Sequence, residues 1–259
     1  MSDRNPRPNP QAARPAYVVS DAHLGAAPGA RAADLVDWLR HVRGRASHVV
    51  LNGDIFDFWF EYRRAIPRGH VRVLGAVAEV VDAGVPVTFL GGNHDWWGGS
   101  CLAEEIGVSF HRAPIRTSLA GRSAYIAHGD GLGRGDYGYR VASGILRSRM
   151  FRHAFRWIHP DLGVRLAASL SRTDSHEGRP GEGSRQRARA LELLAMRELE
   201  RDETLDIVVF GHTHVPAVVE VAGRYYLNAG TWMRERCYAV VEASGPPRIE
   251  HWESGRPTS

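Results

Sequence analysis

Five short apolar runs in this chain, starting near Tyr17, His48, Val87, Ala124 and Ile207, each break off into aspartate, asparagine or histidine. The breaks read Ser20-Asp21-Ala22-His23, Asn52-Gly53-Asp54, Gly91-Gly92-Asn93-His94-Asp95, His128-Gly129-Asp130 and Gly211-His212-Thr213-His214. Short runs of β-branched and aromatic residues bounded in this way read as buried strands. Between the first three lie stretches with helical spacing: Leu35, Trp38, Leu39 and Val42, then Leu74, Val77 and Val81. Alternating strand and helix builds a parallel sheet, and the residues that follow each strand gather at its carboxyl edge. The polar clusters are therefore expected to meet.

Side chains two apart in extended backbone lie on one side, so Asp21 and His23 can reach one point, and the same spacing relates His212 to His214. Hydrogen-bonded turns need carboxylates and amides but no imidazole, so this recurrence points to a metal centre. Carboxylate, amide and imidazole ligands without cysteine suit two divalent transition ions, manganese, iron or zinc, better than magnesium alone. Gly53 lets Asp54 stand at the end of its strand, which makes Asp54 the candidate bridging ligand.

From Gly129 to Leu205 no strand is evident, a span far beyond an ordinary loop, and a helical insertion is expected there. Its first part carries Ile145, Met150, Phe151, Phe155, Trp157 and Ile158 among Arg147, Arg149, Arg152 and Arg156, and Pro160 can start a further helix with Leu162, Val164, Leu166 and Leu170. Such a face suits anionic lipid or an acyl chain, or packs as a cap on the main domain. A charged helix over Arg185–Glu203 follows a Gly- and Ser-containing stretch that reads as a mobile lid. Residues 1–16, with four prolines and three arginines, read as a disordered tail, residues 17–241 as one domain that includes a helical cap over 137–203, and residues 246–259 as a C-terminal tail.

The net charge is only +4, and all 33 basic residues are arginine, spread among acids without an interleaved basic and aromatic groove. Nucleic acid is not an expected ligand. Cys101 and Cys237 have neither ligand spacing nor a disulfide framework, and no signal peptide or apolar window of about 18 residues is present, so a cytoplasmic chain is expected.

The five motifs, in this order over about Tyr17–Val241, resemble those of the calcineurin-like metallophosphoesterases. The resemblance implies an α/β fold, a four-layer α-β-β-α sandwich of two mixed sheets with the helical insertion capping the active site. It implies one ion held by Asp21, His23, Asp54 and His214, and another held by Asp54, Asn93, His128 and His212. His94 would act on the transition state or the leaving oxygen, with Asp95 orienting its ring. Within the superfamily, Gly53-Asp54-Ile55-Phe56-Asp57-Phe58-Trp59, His128 through Leu132, Asp136 through Tyr139 and the insertion look most like the UDP-2,3-diacylglucosamine pyrophosphatases of lipid A biosynthesis. That resemblance implies a UDP-linked acylated glucosamine as substrate, cleaved to UMP and lipid X, with contacts at Asp136, Tyr139, Arg172 and Ser175. Peripheral contact with the anionic cytoplasmic face of the inner membrane fits that reading, and no obligate protein partner is evident in the sequence.

Two positions depart from that pattern. His94 stands where the best-known members have arginine, and the lysines that follow Ser175 in those members are absent, with Arg179 and Arg185 the nearest basic residues. A soluble nucleotide pyrophosphatase or phosphodiesterase acting on unacylated substrates is the alternative. A scaffold with a degraded site conflicts with the complete ligand set.

Overall fold

β1 (Ala16–Val19) is the pivot of the larger sheet, parallel to β2 (His48–Asn52) on one side and antiparallel to β10 (Cys237–Val241) on the other. The computed structural model describes residues 14–25, 29–132, 143–171, 181–253 and 256–258. With β3 (Val87–Leu90), β4 (Ser109–His111), β11 (Arg248–Glu253) and β12 (Arg256–Thr258), this sheet has seven strands in the order β12-β11-β10-β1-β2-β3-β4. The second sheet has five strands, from β5 (Ile115–Leu119), β6 (Arg122–Ile126), β7 (Ile207–Phe210), β8 (Ala217–Val221) and β9 (Arg224–Asn228), in the order β5-β6-β7-β9-β8. β1, β2 and β3 run parallel, as do β6, β7 and β9.

The period of two in each strand sorts the core into layers. Tyr17 and Val19 face the cluster formed by Leu35, Trp38, Leu39 and Val42 of α1 (Ala30–Val42) and Leu74, Val77 and Val80 of α2 (Val71–Asp82). Ala16 and Val18 face the other way, onto Ile126, Ile207, Val209 and Leu227 of the second sheet. On the far side of that sheet, Val208, Phe210 and Tyr226 pack against Leu191, Ala195 and Leu199 of a twenty-residue helix, Glu182–Arg201. Helices, sheet, sheet, helix is the four-layer sandwich expected.

The insertion divides. α3 (Arg149–Phe155) starts at Ser148, whose hydroxyl accepts from the Phe151 N–H, and α4 (Pro160–Ser171) starts at its proline. They dock through Phe155, with ring centroids 4.7 Å from Phe60 and 6.2 Å from Phe58, and through Gly163, where a Cβ would come within 2.3 Å of Tyr62 Oη. The following helix, α5 (Glu182–Arg201), was expected inside the cap but forms the fourth layer instead, because its Leu191, Ala195 and Leu199 stripe is buried on the second sheet. The expected tail after Pro246 contains β11, paired to β10 with Cys237 opposite His251, and Trp252 is buried beside the His41 ring at 5.2 Å. α6 (Trp232–Glu235) precedes β10 and seats Trp232 against Trp38.

Candidate metal centre

The turns after β1 and β2 are zipped together: the Asp21, His23 and Leu24 N–H groups donate to the carbonyls of Gly53, Asp54 and Ile55 at 3.0, 2.9 and 2.9 Å. Asp21, His23, Asp54, His212 and His214 all have positive φ, at 53°, 44°, 53°, 66° and 59°. Non-glycine residues avoid this region, and its repeated use at one edge marks a site whose surroundings over-determine the backbone. Two glycines are fixed by close approach. A Cβ on Gly53 would lie 2.3 Å from His128 Nδ1, and one on Gly92 would lie 2.2 Å from Asp54 Oδ1.

Two trios of ligand-type atoms result, each within 4.8 Å of one another: Asp21, His23 and His214, and Asp54, His128 and His212. In the first, His214 Nε2 is 3.2 Å from Asp21 Oδ1 and 3.3 Å from His23 Nε2. In the second, Asp54 Oδ2 is 3.2 Å from His128 Nε2, and it also stands 3.9 Å from His23 Nε2, between the trios. The two-residue spacing therefore did not bring His212 and His214 to one point, since left-handed backbone sends them to different trios. His23 also joins Asp57 and His94 in a third grouping.

Asp21 Oδ1, Asn93 Oδ1 and His128 Nε2 are buried with no hydrogen-bond partner among the described residues. Unsatisfied buried acceptors are costly, at about 1–3 kcal/mol each, and several converging ones fit cations. Burial pushes the Asp54 carboxyl up, yet His128 and His94 prevail and hold it well below the usual carboxylate range. Burial likewise opposes ionisation of Asp21, but His214 holds it low. Burial disfavours imidazolium at His128 and His214, and Asp54 and Asp21 respectively outweigh it, while His212 is depressed by burial and by His128. Two ionised carboxylates thus sit in a dry pocket that demands positive charge.

His94 is anchored through both its backbone and its ring. Its N–H donates to Asp54 Oδ1 at 2.9 Å, and its Nδ1 lies 2.9 Å from the Asp57 carbonyl, which assigns that nitrogen the proton in the neutral ring. Burial lowers its pKa, but Asp54 and the Asp57 carbonyl raise it further, so the net shift is upward. The expected ring-orienting role of Asp95 is corrected by its bonds. Its carboxylate accepts from the N–H groups of Gly92 and Ile55 at 2.7 Å each, Asp54 at 3.2 Å and Phe56 at 3.4 Å, so it ties the turns after β2 and β3 together. Burial, with Asp54 nearby, pushes Asp95 up to about 6.

A model of the Calcineurin-like phosphoesterase family matches residues 14–216. The chain belongs to this family. This phosphoesterase is 34% identical to a UDP-2,3-diacylglucosamine hydrolase of Porphyromonas gingivalis, over 88% of its own length and 94% of the relative's. It is 28% identical to a UDP-2,3-diacylglucosamine hydrolase of Chromohalobacter salexigens, over 91% and 96% of the two chains. A solved structure from Streptococcus pneumoniae, described as a predicted phosphoesterase, aligns over 95% of each chain at 16% identity and a TM-score of 0.45.

Asp57, Asp130 and Arg147 are site residues of this phosphoesterase to which the motifs assigned no role. Asp57 Oδ1 lies 3.4 Å from His23 Nδ1. Asp130 is nearly buried, and its carboxyl is raised by burial but lowered on balance by His128 and Arg147, the latter its ion-pair partner. Asp57 and Asp130 are visible in the motifs; Arg147, in the insertion, has no local signature. Asp136, Tyr139, Arg172 and Ser175 lie outside the described residues.

Proposed function

We propose that the chain hydrolyses the pyrophosphate bond of UDP-2,3-diacylglucosamine, releasing UMP and 2,3-diacylglucosamine 1-phosphate. The position of Asp54 Oδ2, between two trios whose inward acceptors lack partners, carries the chemical half of this reading. The substrate half rests on the relatives, whose length the chain matches almost throughout. Asp21, His23, Asp54 and His214 would hold one divalent ion, and Asp54, Asn93, His128 and His212 the other, with manganese the proposed metal. When bound, such a pair supplies an activated water and neutralises charge on the phosphoryl oxygens.

The remaining steps belong to side chains. His94, its Nδ1 engaged by the Asp57 carbonyl, gives a proton from Nε2 to the leaving oxygen. Asp95 holds the turns that carry Asp54 and Asn93 in register. Asp136, Tyr139, Arg172 and Ser175 are the proposed substrate contacts.

No helix among the described residues is long and apolar enough to cross a membrane. Met150, Trp157, Leu162 and Leu166 on and beside α3 and α4 are nevertheless 84%, 83%, 58% and 48% exposed, next to Arg149, Arg156 and Arg165. That surface supports peripheral contact with the anionic cytoplasmic face of a membrane, where an acylated substrate resides. Incubation of the manganese-loaded protein with UDP-2,3-diacylglucosamine, UDP-N-acetylglucosamine and ADP-ribose tests the substrate. UMP release from the acylated compound in clear preference supports the proposal, and preference for the other two rejects it.

A further inference from the structure

Trp96 carries three guanidinium groups around one indole: those of Arg112, Arg147 and Arg152 lie 5.6, 5.4 and 5.8 Å from its ring centroid. Arg147 has Asp130 as counter-charge. Arg112 donates to a neutral acceptor, the Gly98 carbonyl, and Arg152 Nε is buried with no hydrogen-bond partner among the described residues. Neither Arg112 nor Arg152 has an ion pair among the described residues. Two guanidiniums held against one ring repel each other, and burial together with Arg152 lowers the Arg112 pKa against an opposing effect of Glu61.

Both line a cleft of about 870 Å³ between the turn that follows Phe60 and α3, together with Arg63, Arg64 and Arg156. The one carboxylate in that lining, Glu61, is engaged: it accepts from the N–H groups of Gly99, Cys101 and Leu102 and from Trp59 Nε1. Five arginines thus line a space in which the one lining carboxylate, Glu61, spends its hydrogen-bonding capacity on backbone and indole N–H groups. No metal-centre residue lines it. Planar guanidinium forks match phosphate oxygens in pairs, and a partly desolvated cluster strengthens that attraction.

We propose that this cleft is a second anion site, separate from the metal centre, that takes a phosphate group. The phosphate can come from a phospholipid headgroup, because the cleft borders the exposed helices α3 and α4, or from a dissolved phosphoester. The proposal does not depend on the substrate reading, since it concerns residues outside the reacting centre.

Sulfate, shaped like phosphate but not a product of the reaction, is titrated calorimetrically into the metal-loaded protein. Sedimentation is measured in parallel with phosphatidylcholine vesicles, with and without phosphatidylglycerol. The Arg112→Gln/Arg152→Gln variant is compared with Arg187→Gln/Arg189→Gln on the exposed side of α5, which removes equal charge outside both the cleft and the α3–α4 surface. The cleft variant is expected to lose about tenfold or more in affinity, and the control less than about twofold. Loss of sulfate binding identifies a dissolved anion, and loss confined to phosphatidylglycerol vesicles identifies the headgroup. Should the first variant fail to fold, Arg63→Gln/Arg64→Gln at the exposed rim is expected to weaken the same binding. Equal effects of cleft and control variants, or none, would overturn the proposal.

Discussion

Asp54 Oδ2 and His128 Nε2 face each other at 3.2 Å, while His128 Nδ1, 2.8 Å from the Asn52 carbonyl, is placed to donate there. In the neutral ring this leaves two acceptors opposed in a buried space, so a second proton or a cation must stand between them. A divalent ion does this for several ligands at once, whereas a proton serves only one pair.

Removing bound ions should therefore lower stability. With manganese at a hundredfold over its dissociation constant, binding contributes about 2.7 kcal/mol per site, or a few degrees in melting temperature for a chain of this size. Differential scanning fluorimetry before and after chelation should show that drop, and added manganese should reverse it.

His94→Ala should reduce kcat by about a hundredfold to ten-thousandfold with a smaller change in KM. Because the His94 pKa is raised, its protonated form persists above the ordinary histidine range, and an acid-dependent rate falls as pH rises through that shifted value. His94→Arg, which does not titrate there, should keep more activity than alanine and lose this alkaline limb. A pH profile of kcat for the three proteins measures both effects.

Asp95→Asn keeps shape but turns an amide N–H₂ toward backbone donors that the carboxylate now satisfies. A cost of about 1–3 kcal/mol in urea unfolding is expected. If Asp95 acts by holding turns, hydrolysis per metal-loaded molecule should stay within about a hundredfold of the native rate, as for other residues that support ligands indirectly.

The strand ends were legible because apolar runs such as Tyr17-Val18-Val19 broke abruptly into polar clusters. The separation of His212 from His214 came from the family resemblance and not from their two-residue spacing, since their φ of 66° and 59° is a conformation that only the assembled edge imposes on non-glycine residues. Trp252 looked like tail because its burial depends on pairing with β10 and on the His41 ring, which lies far away in sequence. Most of the bonds of Asp95 were hidden for the same reason: those from Asp54, Ile55 and Phe56 come from backbone about forty residues earlier, a relation no local motif records.

His70, at the start of α2, is buried with its ring 4.6 Å from Phe56 and 6.0 Å from Trp59. Burial lowers its pKa to about 4, against a smaller opposing effect of Asp57. The unfolded chain thus takes up the proton first as pH falls, so this contribution is complete above the ordinary histidine pKa and is lost between about 6.5 and 4. The loss amounts to about 2 kcal/mol by pH 5. Urea midpoints for the native protein and His70→Phe at pH 7.5 and 5 should show a smaller acid loss in the variant.

The most direct test of the account measures metal content and UMP release together, in the native protein and in Asp54→Asn. Two manganese ions per native chain are expected, with hydrolysis of UDP-2,3-diacylglucosamine that depends on them. In Asp54→Asn, at least one ion should be lost and the rate should fall by about a thousandfold, as expected when charge stabilisation of the transition state is removed. Undiminished UMP release by Asp54→Asn, or native turnover after complete chelation, would contradict it.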